Sequence, residues 1–286
     1  MLVKKHTCYD IPDYVISPDT RRMAYHVDRT GSFETDVYFR DLSSGKLWKD
    51  VLKSVTSIVW ANDNSTLFYT VQDKVTNRSC RAYRHVLGTN PDRDELVFEE
   101  KDEQFELAFD KSKSEEFIFL LSEAHSANTS ETRFFPAGEP GAELRLIHPR
   151  EAGHLYYADH GGDHFYIRTD KHAPNFRLVQ ADRSSPSADE WKEVVPHRTD
   201  TLLEGVELFS GHMALKENHR GTYRIRIIDR KTQRQHCIVP AEAACYMSPG
   251  TNPEYYTRQL RYSYTSLVTP QSVYDYSMDT RKKKLM

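Results

Sequence analysis

The sequence predicts an all-β protein, a β-propeller of about six four-stranded blades. A unit made of a strand, a tight turn and a second strand recurs six times at intervals of roughly 40–50 residues, which is the spacing of propeller blades. Aromatic residues make up 12% of the chain and suit half-buried strand surfaces. No long segment places apolar residues at the 3.6-residue period of a helix, so helix should be a minor component.

The six repeats set the expected domain organisation. Their cores begin at Tyr14, Ser57, Phe105, His154, Gly205 and Cys245. We therefore expect one propeller domain over residues 1–286, with blades near 14–50, 55–100, 104–148, 153–196, 201–240 and 244–286.

Each unit follows the same order of elements. A first strand of alternating apolar and polar residues leads into a turn of Asp, Asn, Ser, Gly or Pro, as at 17–19 and 161–163. A second strand carries large apolar groups, as at 67–69. A third strand is rich in aromatic and β-branched residues, as at 273–276, and a short fourth strand closes the unit, as at 96–98.

Two longer polar segments interrupt this pattern. The longer one spans 124–132, and the other spans 182–189. Both are expected to be surface connections within a blade.

Composition excludes several classes of protein. The formal net charge is −3 and the cations are scattered, so no nucleic-acid surface is indicated. No apolar run approaches 18 residues and the first ten residues have no signal-peptide core, so neither a membrane span nor secretion is predicted. The four cysteines show no C-x-x-C pair and no zinc spacing. A cytoplasmic location with free thiols is therefore expected.

No nucleophilic serine motif is present in the sequence. An α/β-hydrolase needs G-x-S-x-G, because small residues permit the strained turn that exposes the serine hydroxyl. Ser210 before Gly211 is expected to be only the tip of a strand turn. We predict no catalytic residues within this chain.

The densest polar cluster lies in the fourth repeat and comprises His154, Asp159, His160, Asp163 and His164. Imidazole and carboxylate groups suit zinc or another divalent ion, and a hairpin can bring several of them together. The alternative is ordinary hairpin-turn chemistry around Gly161-Gly162, which we favour. We therefore predict no metal-binding or cofactor-binding residues and no cofactor.

Three charged segments have competing interpretations. The acidic run 99–103 can attract basic substrates, but a solvated loop between blades is the commoner role. Arg224, Arg226 and Arg230 alternate along one strand and are expected to form a solvent-facing or pore-facing surface. The basic segment 281–284 is expected to be a frayed end.

Several stretches resemble one enzyme family in their order and spacing. They read VWANDNSTLFYTVQDKVTNR from Val59, YRHVLGTNPDRDELVFEEKD from Tyr83, FYIRTDKHAPNFRLVQA from Phe165, TLLEGVELFSGHMALKE from Thr201 and LRYSYTSLVTPQSVYDYSMDT from Leu260. They are similar to the propeller of the oligopeptidase B branch of the prolyl oligopeptidase family of serine peptidases. The resemblance covers nearly the whole chain, from about Tyr14 to Leu285.

The resemblance implies a function that this chain serves only in part. Family members carry a seven-bladed propeller that caps an α/β-hydrolase domain with a Ser-Asp-His triad. The oligopeptidase B branch cleaves short peptides after Lys or Arg, and the propeller limits access so that folded proteins do not enter. The implied partners are thus the hydrolase domain and short basic peptides.

The chain departs from the family at both ends. The stretch Met278-Asp279-Thr280 matches the end of the family's propeller, and the unit from Tyr14 matches its second blade. Six blades are therefore recognisable where the family has seven, and the hydrolase domain is expected outside this sequence. The chain alone should be inactive, and the open ring should expose apolar inter-blade faces. The alternative function is a non-catalytic propeller scaffold for protein–protein interaction.

Overall fold

The computed structural model describes residues 8–32, 34–240, 242 and 244–286. These residues form six four-stranded antiparallel sheets, each with its strands paired in chain order, which is the make-up of a β-propeller. We call the sheets blades 1 to 6. The chain divides into two compact units: unit 1 holds residues 1–111 and 115–153, and unit 2 holds residues 112–114 and 154–286.

Blades 1 to 3 contain the first twelve strands. These are β1 Tyr14–Ile16, β2 Arg22–Asp28, β3 Thr35–Asp41, β4 Leu47–Leu52, β5 Val55–Trp60, β6 Thr66–Gln72, β7 Ser79–Val86, β8 Glu95–Glu99, β9 Glu106–Lys111, β10 Phe117–Ala124, β11 Thr129–Pro136 and β12 Arg145–His148.

Blades 4 to 6 contain the other twelve strands. These are β13 Tyr156–Gly161, β14 His164–Thr169, β15 Arg177–Asp182, β16 Lys192–Val195, β17 Thr201–Leu208, β18 His212–His219, β19 Thr222–Asp229, β20 Gln235–Ile238, β21 Cys245–Pro249, β22 Gln259–Ser266, β23 Ser272–Ser277 and β24 Lys283–Leu285. Helix in the described residues is limited to 3-10 turns at Pro91–Arg93, His125–Ala127 and Ala188–Glu190. The all-β prediction is confirmed.

The turn chemistry predicted from the sequence is visible in the first hairpin of blade 2. The Asp63 carboxylate accepts the backbone N–H groups of Ser65 and Thr66 at 3.0 and 2.8 Å. Asn64 takes a left-handed conformation with φ +62°, which asparagine tolerates better than most residues. These contacts reverse the chain between β5 and β6 within a few residues.

The predicted long connection at 124–132 is wrong. Strand β10 runs to Ala124 and β11 begins at Thr129, so only four residues separate them. Asn128 adopts φ +47° and closes this hairpin in the left-handed region. Polar residues 129–132 are buried in the blade, where the side chains of Thr129 and Glu131 find hydrogen-bond partners that composition alone does not indicate.

Unit 1 is held together by apolar residues between successive blades. Leu67 and Tyr69 of β6 pack in a cluster with Ala24 and Phe39 of blade 1. Phe68, on the opposite face of β6, packs in a second cluster with blade 3. Since side chains alternate along a strand, β6, the second strand of blade 2, is buried on both faces.

The same arrangement holds blades 4 and 5 of unit 2. Met213 and Leu215 of β18 pack with Leu178 of blade 4. Ala214 lies on the other face, in a cluster with Tyr262 of blade 6. Strand β18 is therefore buried on both faces, like β6.

Blade 6 differs because only one face of its second strand, β22, is apolar. Leu260, Tyr262 and Tyr264 of β22 pack toward blade 5. The residues between them point to the other face, where Arg261 forms a bidentate ion pair with Asp275 at 2.7 and 2.8 Å. The far face of β22 is therefore polar, although Val273 of β23, which lies opposite Ser263 on the same face, is 37% exposed.

Two further predictions from the sequence concern the cysteines and membrane-spanning segments. Cys8, Cys80, Cys237 and Cys245 are free thiols in this structure. Among the described residues, no helix has the length and apolar character that a membrane span requires.

Candidate functional site at the first-hairpin ends of blades 4 to 6

A buried polar network lies where the first two strands of blades 4, 5 and 6 turn. We call it the first-hairpin network, and its centre is Arg230, just after β19. The guanidinium donates five hydrogen bonds of 2.9–3.2 Å to the carbonyls of Gly161, Phe209 and Ser210 and to the hydroxyls of Tyr166 and Tyr255. The planar fork of Arg reaches several acceptors at once, so one side chain joins three blades.

The hairpin turn of blade 4 leaves space for this arginine because it is built from glycine. A Cβ placed on Gly161 would lie 3.0 Å from the Tyr255 hydroxyl and 3.3 Å from Arg230 Nη1. Gly162 adopts φ +66°, which a residue with a Cβ rarely adopts. The Gly-Gly pair thus serves both the turn and the close approach of Arg230.

We expect Gly161→Ala to destabilise the protein by about 1–2 kcal/mol, because the new methyl group crowds Arg230 and Tyr255. Urea unfolding of the purified variant measures this loss. Gly211→Ala is the matched control, since a Cβ at that turn of blade 5 meets nothing within 4 Å. Equal unfolding midpoints for the two variants would contradict the proposed close approach.

His160 precedes the two glycines and is fully buried. Its Nδ1 lies 2.7 Å from the hydroxyl of Ser114, in the turn between β9 and β10. Burial, together with the positive charges of Arg183 and Arg230, lowers the pKa of His160 to about 4. The imidazole is therefore neutral near pH 7 and has no exposed surface for a substrate, so this serine–histidine pair is a structural contact.

Lys113, in the same turn between β9 and β10, also belongs to the first-hairpin network. Its ammonium donates to the Glu207 carboxylate and to the carbonyl of Asn252, and it lies 5.1 Å from the centre of the Phe209 ring. Its backbone N–H donates to Asp159 at 2.8 Å. One residue thereby contacts the first-hairpin ends of blades 4, 5 and 6.

The polar cluster predicted in the fourth repeat is divided between the two ends of one hairpin. Asp159 and His160 lie at the turn end, in the network. His154 Nε2 lies 2.8 Å from the Thr169 hydroxyl at the opposite end of the β13–β14 hairpin. His164 lines a surface cleft of about 430 Å³ together with Asp182 and Trp191. The five residues do not form the single cluster that the sequence suggested.

The acidic run 99–103 is not the uniformly solvated loop that the sequence indicated. Glu100 is only 6% exposed. It accepts hydrogen bonds of 2.6 Å from both Arg150 and Ser122. Arg150 also bonds Glu131, which is equally buried, and stacks 3.8 Å over the Phe105 ring. Glu100 therefore holds blades 2 and 3 together.

We expect this ion network to make unit 1 sensitive to acid. Burial opposes ionisation of Glu100, but the hydrogen bonds from Arg150 and Ser122 outweigh it and hold the pKa of Glu100 below its ordinary 4.5. The pKa of Glu131 is lowered in the same way. Because both folded-state values lie below the unfolded ones, their contribution is complete above about pH 4.5 and is lost as the pH falls below it.

Urea unfolding of Glu100→Gln between pH 6 and pH 3.5 tests this dependence. The wild-type unfolding midpoint should fall steeply below about pH 4.5, and the variant should start lower and fall less. Glu103→Gln alters an exposed member of the same run and should keep the wild-type profile. A parallel fall in wild type and Glu100→Gln would exclude the ion network as the cause.

The alternating arginines are structural rather than a solvent-facing surface. Arg224 and Arg226 lie on one face of β19, as predicted, but both donate to Glu217 at 2.8 Å. Glu217 is only 1% exposed. Arg230 lies beyond the end of the strand, in the first-hairpin network. The solvent-facing expectation is wrong because the buried carboxylate that pairs with Arg224 and Arg226 stands on the neighbouring strand, β18.

The basic segment 281–284 is not a frayed end. Lys283–Leu285 forms β24, which pairs with β23 through Tyr276↔Lys283 and Tyr274↔Leu285. Its lysines are exposed along the outer strand of blade 6, where positive charge discourages pairing with another chain.

Sequence reasoning missed the residues that organise these networks. Lys113, Arg150 and Glu217 carry no motif, and Lys113 bonds groups 94 and 139 residues further along the chain. No local pattern marks such partners. The glycine pair at 161–162 was the one available signal, and it was interpreted only as a turn.

The family model described as the prolyl oligopeptidase N-terminal β-propeller domain matches residues 1–286. The chain belongs to the prolyl oligopeptidase family. Full enzymes of this family also carry a catalytic hydrolase domain.

Similar proteins extend well beyond this propeller domain. This chain is 38% identical over 279 residues to dipeptidyl aminopeptidase BI of Pseudoxanthomonas mexicana, and the alignment covers 96% of this chain and 38% of that protein. It is 30% identical over 275 residues to Protease 2 of Moraxella lacunata, covering 95% of this chain and 39% of that protein. The chain thus spans about two fifths of the length of these relatives.

The fold agrees with solved structures of the family. Oligopeptidase B from Leishmania major superposes with a TM-score of 0.92 at 23% identity, over 99% of this chain and 41% of that one. Oligopeptidase B from Trypanosoma brucei gives a TM-score of 0.89 at 20% identity, with the same coverage of both chains. These values establish a shared fold.

Proposed function

We propose that this chain is the substrate-gating propeller domain of an oligopeptidase B-like serine endopeptidase that cleaves short peptides after Lys or Arg. The observation that carries the proposal is the family match over residues 1–286 of a chain that folds into six blades. Similarity to Protease 2 supports the choice of branch.

The propeller's role in this proposal is to control access and not to break bonds. His160, the partner of Ser114, is fully buried and neutral near pH 7, so that pair offers no nucleophile to a peptide. The networks around Arg230 and Glu100 instead connect neighbouring blades within each unit. Exposed carboxylates at Asp102 and Glu103 would attract basic peptides electrostatically.

A second specificity is favoured by the higher identity to a dipeptidyl aminopeptidase, 38% against 30% for Protease 2. In that case the complete enzyme would release dipeptides from free amino termini. Both specificities assign the same role to the propeller, because the reacting groups belong to the hydrolase domain in either case.

The purified chain should not hydrolyse a short fluorogenic peptide that contains Arg. Turnover that a serine-directed inhibitor abolishes would overturn the assignment of this chain as a non-catalytic domain. The specificity is tested in the complete enzyme, because its own hydrolase domain supplies the reacting groups. Cleavage of an amino-terminally blocked peptide after Arg supports the endopeptidase, and cleavage restricted to free dipeptidyl substrates supports the alternative.

A further inference from the structure

A surface cleft of about 520 Å³ lies in unit 1, where β4 of blade 1 meets the loop that follows β7 of blade 2. We call it the blade 1–2 cleft, and its lining includes Lys46, Trp48, Lys49, Asp50 and Gly88. Its volume falls within the range of small-molecule sites, which is roughly 300–1,000 Å³. Control of access by the propeller makes no use of this cleft.

Asp50 places a carboxylate in the wall of the cleft, although its side chain is only 8% exposed. Its Oδ2 accepts the backbone N–H of Gly88 and lies 3.3 Å from His85 Nε2. Its Oδ1 has no hydrogen-bond partner among the residues that the structure describes. A carboxylate oxygen in a largely buried position needs a donor, and a ligand in the cleft supplies one.

A buried chain of hydrogen bonds fixes the orientation of the Asp50 carboxylate. His85 is fully buried, and its Nδ1 lies 2.8 Å from Asp94 Oδ1. The other Asp94 oxygen accepts the Tyr69 hydroxyl at 2.9 Å. The Phe39 ring stacks on the imidazole with 5.8 Å between the ring centres. Because its neighbours already hold it in place, the carboxylate loses little freedom when it binds a ligand.

Two lysines bring the opposite charge to the same cleft. Lys46 and Lys49 are exposed, and neither forms an ion pair within the described part of the chain. The second carboxylate of the lining, Asp41, is already bonded to the N–H and the hydroxyl of Ser44 at 2.7 and 2.8 Å. Both ammonium groups are therefore available to an anionic group of a ligand.

Trp48 gives the cleft an aromatic wall beside the carboxylate. It lies on the same face of β4 as Asp50, because side chains alternate along a strand. One part of the indole packs on the apolar cluster between blades 1 and 2, and the ring as a whole is half-buried. A Cβ on Gly88 would lie 3.5 Å from the ring, so the loop backbone closely approaches it. The remaining surface of the ring is available to an apolar group.

We propose that the blade 1–2 cleft binds a small zwitterion with an apolar side chain, the chemistry that free amino acids and dipeptides share. The ligand's ammonium group donates to Asp50, its carboxylate pairs with Lys46 or Lys49, and its side chain packs on Trp48. The lining holds two carboxylates and two ammonium groups, so a ligand with charge of one sign alone meets like charge as well. The site is independent of the peptidase assignment, because all of its groups belong to unit 1.

Equilibrium dialysis of this chain against radiolabelled Leu-Phe tests the site. Acetylation of the peptide's amino terminus, or amidation of its carboxyl terminus, removes one charge and should weaken binding about tenfold. Free phenylalanine separates the two sources: equal affinity assigns the site to amino acids, and weaker binding assigns it to dipeptides. No binding of either compound at concentrations up to about 10 mM would overturn the proposal.

Lys46→Gln/Lys49→Gln alters only exposed side chains, so the fold should be preserved. The double variant should bind Leu-Phe about tenfold more weakly, with no further effect on the amidated peptide, because the lysines act on the ligand's carboxylate. Lys74→Gln/Lys101→Gln is the matched control, since it removes the same charge from exposed positions elsewhere in unit 1 and should bind as the wild type does. Equal affinities of the two double variants would show that the cleft is not the site.

Asp50→Asn is the complementary change at the opposite charge. It should weaken binding of Leu-Phe about tenfold and leave the binding of the acetylated peptide unchanged. Circular dichroism establishes that this variant is folded, since Asp50 also bonds Gly88 and His85. Should it unfold, the lysine variants decide the outcome. A folded Asn variant that binds Leu-Phe as tightly as the wild type contradicts the proposed role of the carboxylate.

Discussion

Arg230→Met is expected to lower the free energy of unfolding by about 3 kcal/mol. The substitution leaves three backbone carbonyls and two tyrosine hydroxyls without their shared donor, and each unsatisfied buried group adds to the loss. Urea or thermal unfolding followed by far-ultraviolet circular dichroism measures the change. Arg230→Lys should recover only part of the stability, because an ammonium group cannot span the five acceptors.

Arg234→Met is the control for this experiment. Arg234 lies in the same turn after β19 but is exposed, so its substitution should change stability by no more than about 0.5 kcal/mol. Similar losses in the Met variants at 230 and 234 would show that Arg230 does not hold the hairpin ends together.

Glu217→Gln is expected to cost about 3–5 kcal/mol. Glu217 is 1% exposed and accepts both Arg224 and Arg226, whose side chains are 16% and 13% exposed. Removing the carboxylate charge leaves two largely buried guanidinium groups without a counter-charge, and that is more costly than losing a surface ion pair. The measurement is the unfolding midpoint in urea, compared with that of the wild type.

Glu204→Gln provides the matched control in the same blade. Glu204 pairs with Lys216 at 2.9 Å but is 22% exposed, and solvent screens the pair, so a loss of about 1 kcal/mol or less is expected. If the substitution at 217 costs no more than the one at 204, the buried carboxylate is not essential to blade 5.

The repeat pattern was sufficient for the blades because strand formation is local. Alternation along β22 and the Asp63 and Asn64 turn chemistry depend on residues within a few positions of one another, so the sequence indicates them directly. The hairpin at Asn128 was missed because buried polar residues after it resemble a loop in composition. Their burial depends on partners in other strands.

The candidate site was less predictable for the same reason. The sequence singled out His160 as a possible metal ligand and Arg230 as a surface cation, from their neighbours in the chain. Their actual partners, Ser114 and Tyr166, lie 46 and 64 residues away in sequence. Polar side chains are similar in composition whether they are solvated or buried, and only the contacts decide which.

The sequence by itself determined the all-β class, the six repeats and the resemblance to the prolyl oligopeptidase family. Each of these depends on local periodicity or on the order of stretches along the chain. Only the tertiary structure decided that Glu100 and Glu217 are buried, that Arg230 is a half-buried contact between three blades, and that Leu267 and Val268 are exposed to solvent. The physical reason is that burial and hydrogen bonding are properties of residues brought together from distant parts of the chain, and a linear pattern does not contain them.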